Sequence, residues 1–246
     1  MSHYLKFRQS RVSARLLLQY GVTMRIAEYA RSGRTVRRAR LVNGLLTMGV
    51  FALIAVSGQA EERMNTTTTV RTEIATFAGG CFWCMQPPFD ALPGVVSTTV
   101  GYTGGTTDHP TYEEVCSGTT GHAESIQIVY NPAIVGYDKL LDVFWRQINP
   151  TTPNRQFSDV GTQYRSAIFY HTDEQKHLAE RSKAALQHSG RFKEPIVTEI
   201  VPAVKFYPAE EYHQQYYKKN SIQYKLYRIG SGRDGYLKRV WGSSSH

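Results

Sequence analysis

The stretch TEIATFAGGCFWCM, Thr72–Met85, decides how this chain is read. Its first half, Thr72–Gly79, is rich in β-formers and stops at two glycines, which predicts a strand. Cys81 follows at once, and a short helix is expected to open there. A cysteine at a helix N-terminus meets free backbone N–H groups and the positive end of the macrodipole. Its thiolate is therefore expected to be stabilised and its pKa lowered, and the thiolate is the nucleophilic form. Cys84 lies about one turn on, on the same face, within reach for a disulfide. Pro87 and Pro88 cannot donate to the carbonyls of Trp83 and Cys84, so the helix is expected to be loosened or kinked, letting the sulfurs approach.

The chain has 246 residues and three cysteines, too few for a disulfide framework. A C-x-x-C pair beside a strand–helix unit reads as a redox couple. Two other readings stand next to it. Cys81, Cys84, Cys116 and His122 form a Cys3His set for zinc, although bulky Phe82 and Trp83 between the first two ligands argue against it. A structural disulfide within one turn closes a loop too small to remove much unfolded-state entropy.

The net charge of +9 sits entirely in residues 1–60, which carry ten Lys/Arg and one acid, Glu28; the remainder has 19 bases and 19 acids. The folded part is therefore neutral, and no nucleic-acid partner is expected. The basic run Arg31–Arg40, the apolar run Leu45–Val56 and the small residues Ser57–Ala60 follow the pattern of a secretory signal peptide. Cleavage is expected after Ala60, which makes the mature protein exported, periplasmic or envelope-associated; it is cytoplasmic if the segment does not function. Met24 is an alternative start.

Downstream of a polar linker, 61–71, strands and helices alternate. Strands are predicted at Gly94–Tyr102, Ala123–Tyr130, Tyr164–Tyr170 and Ile196–Tyr207, the last at an edge because Pro202 cannot donate to a ladder. Helices are predicted at Tyr137–Ile148, whose apolar residues recur at helical spacing, and from a capping box at Thr172 and Gln175 to about Ser189, with Gly190 as the stop. A last helix is expected over Ala209–Asn220. The remaining tail lacks clear periodicity and is expected to wrap the surface irregularly. Mixed elements in one domain, 72–246, predict an α/β (α+β) fold: a two-layer α/β sandwich, a ferredoxin-like mixed sheet with helices packed on it.

Five segments carry a resemblance: GGCFWC (Gly79–Cys84), GYTGG (Gly101–Gly105), PTYEEVCSGTTGHAE (Pro110–Glu124), DVGTQYRSAIF (Asp159–Phe169) and PAEEYHQQYY (Pro208–Tyr217). In this order they closely resemble the peptide methionine sulfoxide reductases of the A type, over roughly residues 72–227. The resemblance implies that Cys81 attacks the sulfoxide sulfur, that Phe82 and Trp83 hold the substrate methyl group, and that Glu124 protonates the oxygen. It implies that Tyr112 and Tyr164 bind that oxygen and that Asp159 assists through a water. It further implies selectivity for the S epimer, free or in oxidised proteins, and no bound cofactor. The implied reductant is thioredoxin, or an envelope thiol-disulfide carrier if the chain is exported; a monomer is expected.

The residue chemistry agrees. Reducing a sulfoxide needs a nucleophile at sulfur and a proton for the departing oxygen. A carboxyl group among Phe82, Trp83 and two tyrosines should have a raised pKa, because burial disfavours its charge. Attack would leave Cys81 as a sulfenic acid, which Cys84 condenses to a disulfide. A general thiol-disulfide oxidoreductase remains an alternative, but it gives no reason for Glu124, Tyr112 and Tyr164. Two departures stand out. Phe157-Ser158 replaces a small pair seen in many relatives and is expected to reshape the pocket wall. The tail holds no cysteine, which leaves Cys84 as the sole resolver. His122 is expected to be structural, as are Tyr212, Gln214 and Tyr217, and Cys116 non-catalytic.

Overall fold

The computed structural model describes residues 71–242. The signal-peptide-like extension and all but the last residue of the 61–71 linker lie outside the described residues, as do residues 243–246.

The elements run β1 (Glu73–Gly79), α1 (Phe82–Asp90), β2 (Val95–Thr103), α2 (Tyr112–Cys116), β3 (Ala123–Tyr130), α3 (Tyr137–Trp145), β4 (Arg155–Gln156), β5 (Asp159–Val160), β6 (Ser166–Tyr170), α4 (Asp173–His188), β7 (Glu199–Pro202), β8 (Tyr207–Pro208), α5 (Tyr216–Lys219), α6 (Ser221–Gly230) and α7 (Arg233–Trp241). One six-stranded sheet has the order β7-β6-β1-β3-β2-β8, and β4-β5 form a separate hairpin. Neighbours in the large sheet pair antiparallel, except β6 with β7, which are parallel and joined through α4. The sheet is thus mixed, with helices packed on it, as the alternating sequence pattern requires.

Register determines which side chains meet the helices. Phe77 of β1 lies opposite Ile126 of β3 and Ile168 of β6. All three belong to the main core with Phe89, Leu140, Leu141 and Phe144. Phe77 stacks on Phe89 at 5.7 Å and on Phe144 at 5.0 Å between centroids. Because side chains alternate along a strand, Glu124 shares the face of Ile126 and Ile128. A carboxyl group is thereby carried onto the core face at the start of β3, directly opposite Tyr102 of β2.

Several elements differ from expectation. Pro87 and Pro88 lie inside α1 without interrupting it. Proline leaves the carbonyl four residues earlier without its helical donor, and the Arg228 guanidinium donates to the Cys84 carbonyl instead, at 3.3 Å. The single helix expected over Ala209–Asn220 is broken. A short 3-10 turn at Glu211–His213 precedes α5, and Gln215 between them is left-handed, with φ of 51°. Hydrogen bonds to neighbouring elements outweigh helix continuation here: Gln214 pairs with the N–H and C=O of Val100, and the Gln215 N–H donates to Gln86. The predicted strand Ile196–Tyr207 shrinks to β7 and the separate β8; β7 is the expected edge and stops at Pro202.

The tail is not irregular. It forms α6 and α7. Its periodicity was hidden because α6 carries apolar residues on two sides. Tyr224 and Tyr227 face the protein, whereas Ile222, Leu226 and Ile229 are exposed. The Thr172 cap does form, accepting from the Gln175 N–H at 3.2 Å, but the Gln175 side chain reaches His171 N–H and Ile74 C=O rather than closing the box.

Candidate active site

β1 ends at Gly79, and Gly80 turns the chain with φ of +76°. A Cβ on Gly80 would stand 2.4 Å from the Gln156 side chain, so glycine is required both by conformation and by space. Cys81 then caps α1. The buried Arg233 of α7, 1 % exposed, holds this turn in place by donating to the carbonyls of Gly79 at 3.1 Å and Gln147 at 2.6 Å.

Cys81, Phe82, Trp83, Tyr112, Glu124, Asp159, Tyr164 and Tyr227 line one cavity of about 80 Å³. That is room for a group of a few heavy atoms. Seven of the eight are the residues picked out from the sequence. They arrive from separate places: the start of α1, the first residue of α2, the start of β3, the start of β5, and the 3-10 turn Thr162–Tyr164. Thr111 caps α2 with a full capping box to Glu114, which fixes where Tyr112 emerges.

Glu124 is 2 % exposed. Its Oε2 accepts the Phe82 N–H at 3.0 Å, so it occupies one of the free N–H groups at the start of α1. Burial pushes its carboxyl up to about 8, only partly opposed by that hydrogen bond. Glu124 is therefore largely protonated at neutral pH, as expected of a carboxyl group in such a pocket.

The cysteine pair departs from expectation. Both thiols are free, with Cys81 6 % and Cys84 0 % exposed. Burial, with the hydrogen bond to Cys84 next, pushes the Cys81 thiol up. Cys84 is lowered to about 6, first by that same hydrogen bond, then by Arg233 and Arg228 against the opposing effect of burial. Within the pair, burial disfavours charge on Cys81, while Arg233 and Arg228 favour it on Cys84. At Cys81 burial outweighs the helix dipole, and the Phe82 N–H is already taken by Glu124.

Asp159 is raised by burial and accepts from the Tyr227 hydroxyl at 2.5 Å. That hydroxyl also interacts with the Cys81 thiol. Burial likewise raises Tyr112, Tyr164 and Tyr227, so all three stay protonated. Trp83 is fixed by an 8° face-to-face stack on Tyr216 at 3.8 Å and by an edge contact with Tyr227 at 6.0 Å. Tyr227, Arg228 and Arg233 were missed from sequence because they lie in the tail. The signal available was the i, i+3 pair Tyr224 and Tyr227 followed by Arg228.

Phe157 does not reshape the pocket wall. Its backbone is left-handed, with φ of 56°, and its ring packs against the Arg233 guanidinium at 4.6 Å and Tyr236 at 5.5 Å. It anchors the β4–β5 hairpin to α7 and leaves Asp159 in the cavity. The zinc set is not assembled. His122 accepts from Gly105 N–H through Nδ1 at 3.1 Å and donates through Nε2 to the Thr107 carbonyl at 2.7 Å. No cluster of three metal-binding side chains occurs among the described residues. Cys116 is exposed at the end of α2. Gln214 serves the β2 edge, Tyr217 donates to Asp90 at 2.6 Å, and Tyr212 packs at a tilt against His213 at 4.0 Å; all three are packing residues.

Comparisons with known proteins agree with this constellation. Residues 73–245 match the family described as peptide methionine sulfoxide reductase. The chain is 58 % identical to the MsrA of Bacillus subtilis over 173 aligned residues, 70 % of this chain and 98 % of that protein. It is 59 % identical to the MsrA of Listeria monocytogenes, over 69 % of this chain and 96 % of the relative. Among solved structures it resembles reduced Mxr1 from Saccharomyces cerevisiae, with TM-score 0.59, 37 % identity, and coverage of 62 % of this chain and 88 % of that one. It also resembles methionine sulfoxide reductase A of Corynebacterium diphtheriae, with TM-score 0.55, 38 % identity, and coverage of 61 % and 76 %. The chain belongs to the peptide methionine sulfoxide reductase family, and it is a thiol-dependent oxidoreductase that returns methionine sulfoxide to methionine.

Proposed function

We propose that Cys81 is the nucleophile and Glu124 the proton donor of this reduction. The observation that carries the reading is that a thiol and a protonated, buried carboxyl group line the same small cavity. Cys81 passes its proton to the Cys84 thiolate across their hydrogen bond and attacks the sulfoxide sulfur. Glu124 protonates the oxygen, held by the Tyr112 and Tyr164 hydroxyls, while Asp159 assists through a water. The sulfur–oxygen bond to substrate breaks, methionine leaves, and Cys81 is left as a sulfenic acid. Cys84, again a thiol, condenses with it to a disulfide and releases water. One sulfoxide, a thiol, a thiolate and the Glu124 proton thus become one sulfide, one disulfide and one water. Phe82 and Trp83 form the apolar wall for the methyl group.

The substrate is the S epimer, free or within oxidised proteins. The reductant is a dithiol protein of the thioredoxin type, or an envelope thiol-disulfide carrier, since the basic and apolar N-terminal segments support export. The test is turnover of both epimers with dithiothreitol. Selective loss of the S epimer that Cys81→Ser abolishes is expected; turnover of neither epimer, or full activity in that variant, would refute the assignment.

A further inference from the structure

His213 has no part in the reaction sequence above, yet its ring meets three residues of the pocket's aromatic wall. It ends the 3-10 turn before α5 and is 1 % exposed. Its Nδ1 accepts the Trp83 indole N–H at 3.0 Å. Its ring lies 4.4 Å from Tyr112, 5.1 Å from Phe82 and 5.6 Å from Trp83. Three of the eight cavity-lining residues therefore rest on one imidazole.

The tautomer follows from the donor inventory. An indole nitrogen only donates, so the Nδ1 facing it must be bare and the neutral ring carries its proton on Nε2. That Nε2 is buried without a hydrogen-bond partner. The nearest carboxylate atom, Glu210 Oε2, is 3.8 Å away and is already used by the Tyr102 hydroxyl at 2.8 Å, while Oε1 takes the Tyr112 N–H at 2.9 Å. A protonated ring would place a second N–H against the indole N–H. In a buried aromatic shell no water relieves that opposition.

We propose that neutral His213 is a positioning residue that orients the Trp83 indole for the methyl-sulfoxide group, so that substrate binding weakens when its ring is protonated. The inference rests on the reading of Trp83 as the methyl wall. The groups facing the ring are Glu210 and Tyr212 on the same segment, Glu113 and Tyr112 from α2, and Phe82 and Trp83 from α1. The two carboxylates favour the charged ring, but burial outweighs them and holds it neutral.

The test compares His213→Phe, which keeps a ring without an acceptor, with His213→Asn, whose Oδ1 stands near the Nδ1 position. His213→Phe is expected to raise KM about ten-fold while the rate at saturation falls no more than about two-fold. His213→Asn is expected to recover most of the KM. In the wild type KM should climb only on the acid side of the ordinary imidazole range, because burial lowers the ring's pKa, and that climb should be absent in His213→Asn. The Trp83 indole N–H resonance, assigned with Trp83→Phe, reads the contact without turnover and should move in His213→Phe. An unmoved resonance with unchanged KM would overturn the proposal, as would equal losses in both variants. A moved resonance with no turnover even in the wild type would instead fault the reaction assigned to Cys81 and Glu124.

Discussion

Glu124 offers the sharpest quantitative consequence of the fold. The β3 alternation that buries Ile126 and Ile128 also buries this carboxyl group, and burial lifts it from 4.5 to about 8. The difference corresponds to roughly 5 kcal/mol disfavouring its charged form within the folded protein. Two effects follow with definite sign. For activity, the protonated form is the proton donor, so the single-turnover rate should fall as pH rises through about 8. The Glu124→Gln variant keeps an acceptor for the Phe82 N–H but loses the proton; its rate near neutrality should drop by about 10² to 10⁴ and its alkaline limb should vanish. For stability, a folded pKa above the unfolded value means that the native state binds the extra proton. Its contribution is fully present below about 4.5, declines as pH rises towards about 8, and is absent above. The variant should therefore gain on the wild type by up to about 5 kcal/mol across that window. Quenched-flow methionine formation and urea unfolding across the pH range measure the two. An alkaline limb that survives in Glu124→Gln, or a stability difference between the proteins that does not change with pH, would refute the reasoning.

Two further outcomes are expected. Arg233→Met removes one of the two arginines that, after the hydrogen bond to Cys81, help to lower Cys84; the acid-side onset of iodoacetamide alkylation of the pair should move to higher pH, and Arg233→Lys should move it less. Phe157→Gly relieves a left-handed backbone but removes the ring from Arg233 and Tyr236. Because the ring does not line the cavity, kcat and KM should stay within about two-fold while Tm falls by a few degrees, roughly the effect of about 1 kcal/mol.

The legible part of the chain was local. Strand, Gly-Gly and Cys81 read directly as a strand-to-helix turn, because glycine and β-formers leave unambiguous signals over a few residues. Glu124 was legible too, since a carboxyl in a motif beside aromatic residues implies a raised pKa. What escaped reading depends on distant partners. The Cys84 carbonyl, freed by Pro88, is met by Arg228, 144 residues away, and no local pattern announces that. Gln215 breaks the expected helix because its N–H finds Gln86. Cys81 is pushed up rather than down because burial and the two tail arginines beside Cys84 leave no local trace near the helix N-terminus. Tyr227 stayed hidden behind the exposed apolar face of α6, which blurred the helical period.

The central claim is that Cys81 alone does the chemistry at sulfur and Cys84 only closes the cycle. Its most direct test is Cys84→Ser mixed with one equivalent of methionine S-sulfoxide without reductant, with methionine counted and sulfenic acid trapped by dimedone and located by peptide mass spectrometry. The account predicts one methionine per chain and a single adduct at Cys81. No methionine, or an adduct at Cys116 with Cys81 unmodified, would contradict it.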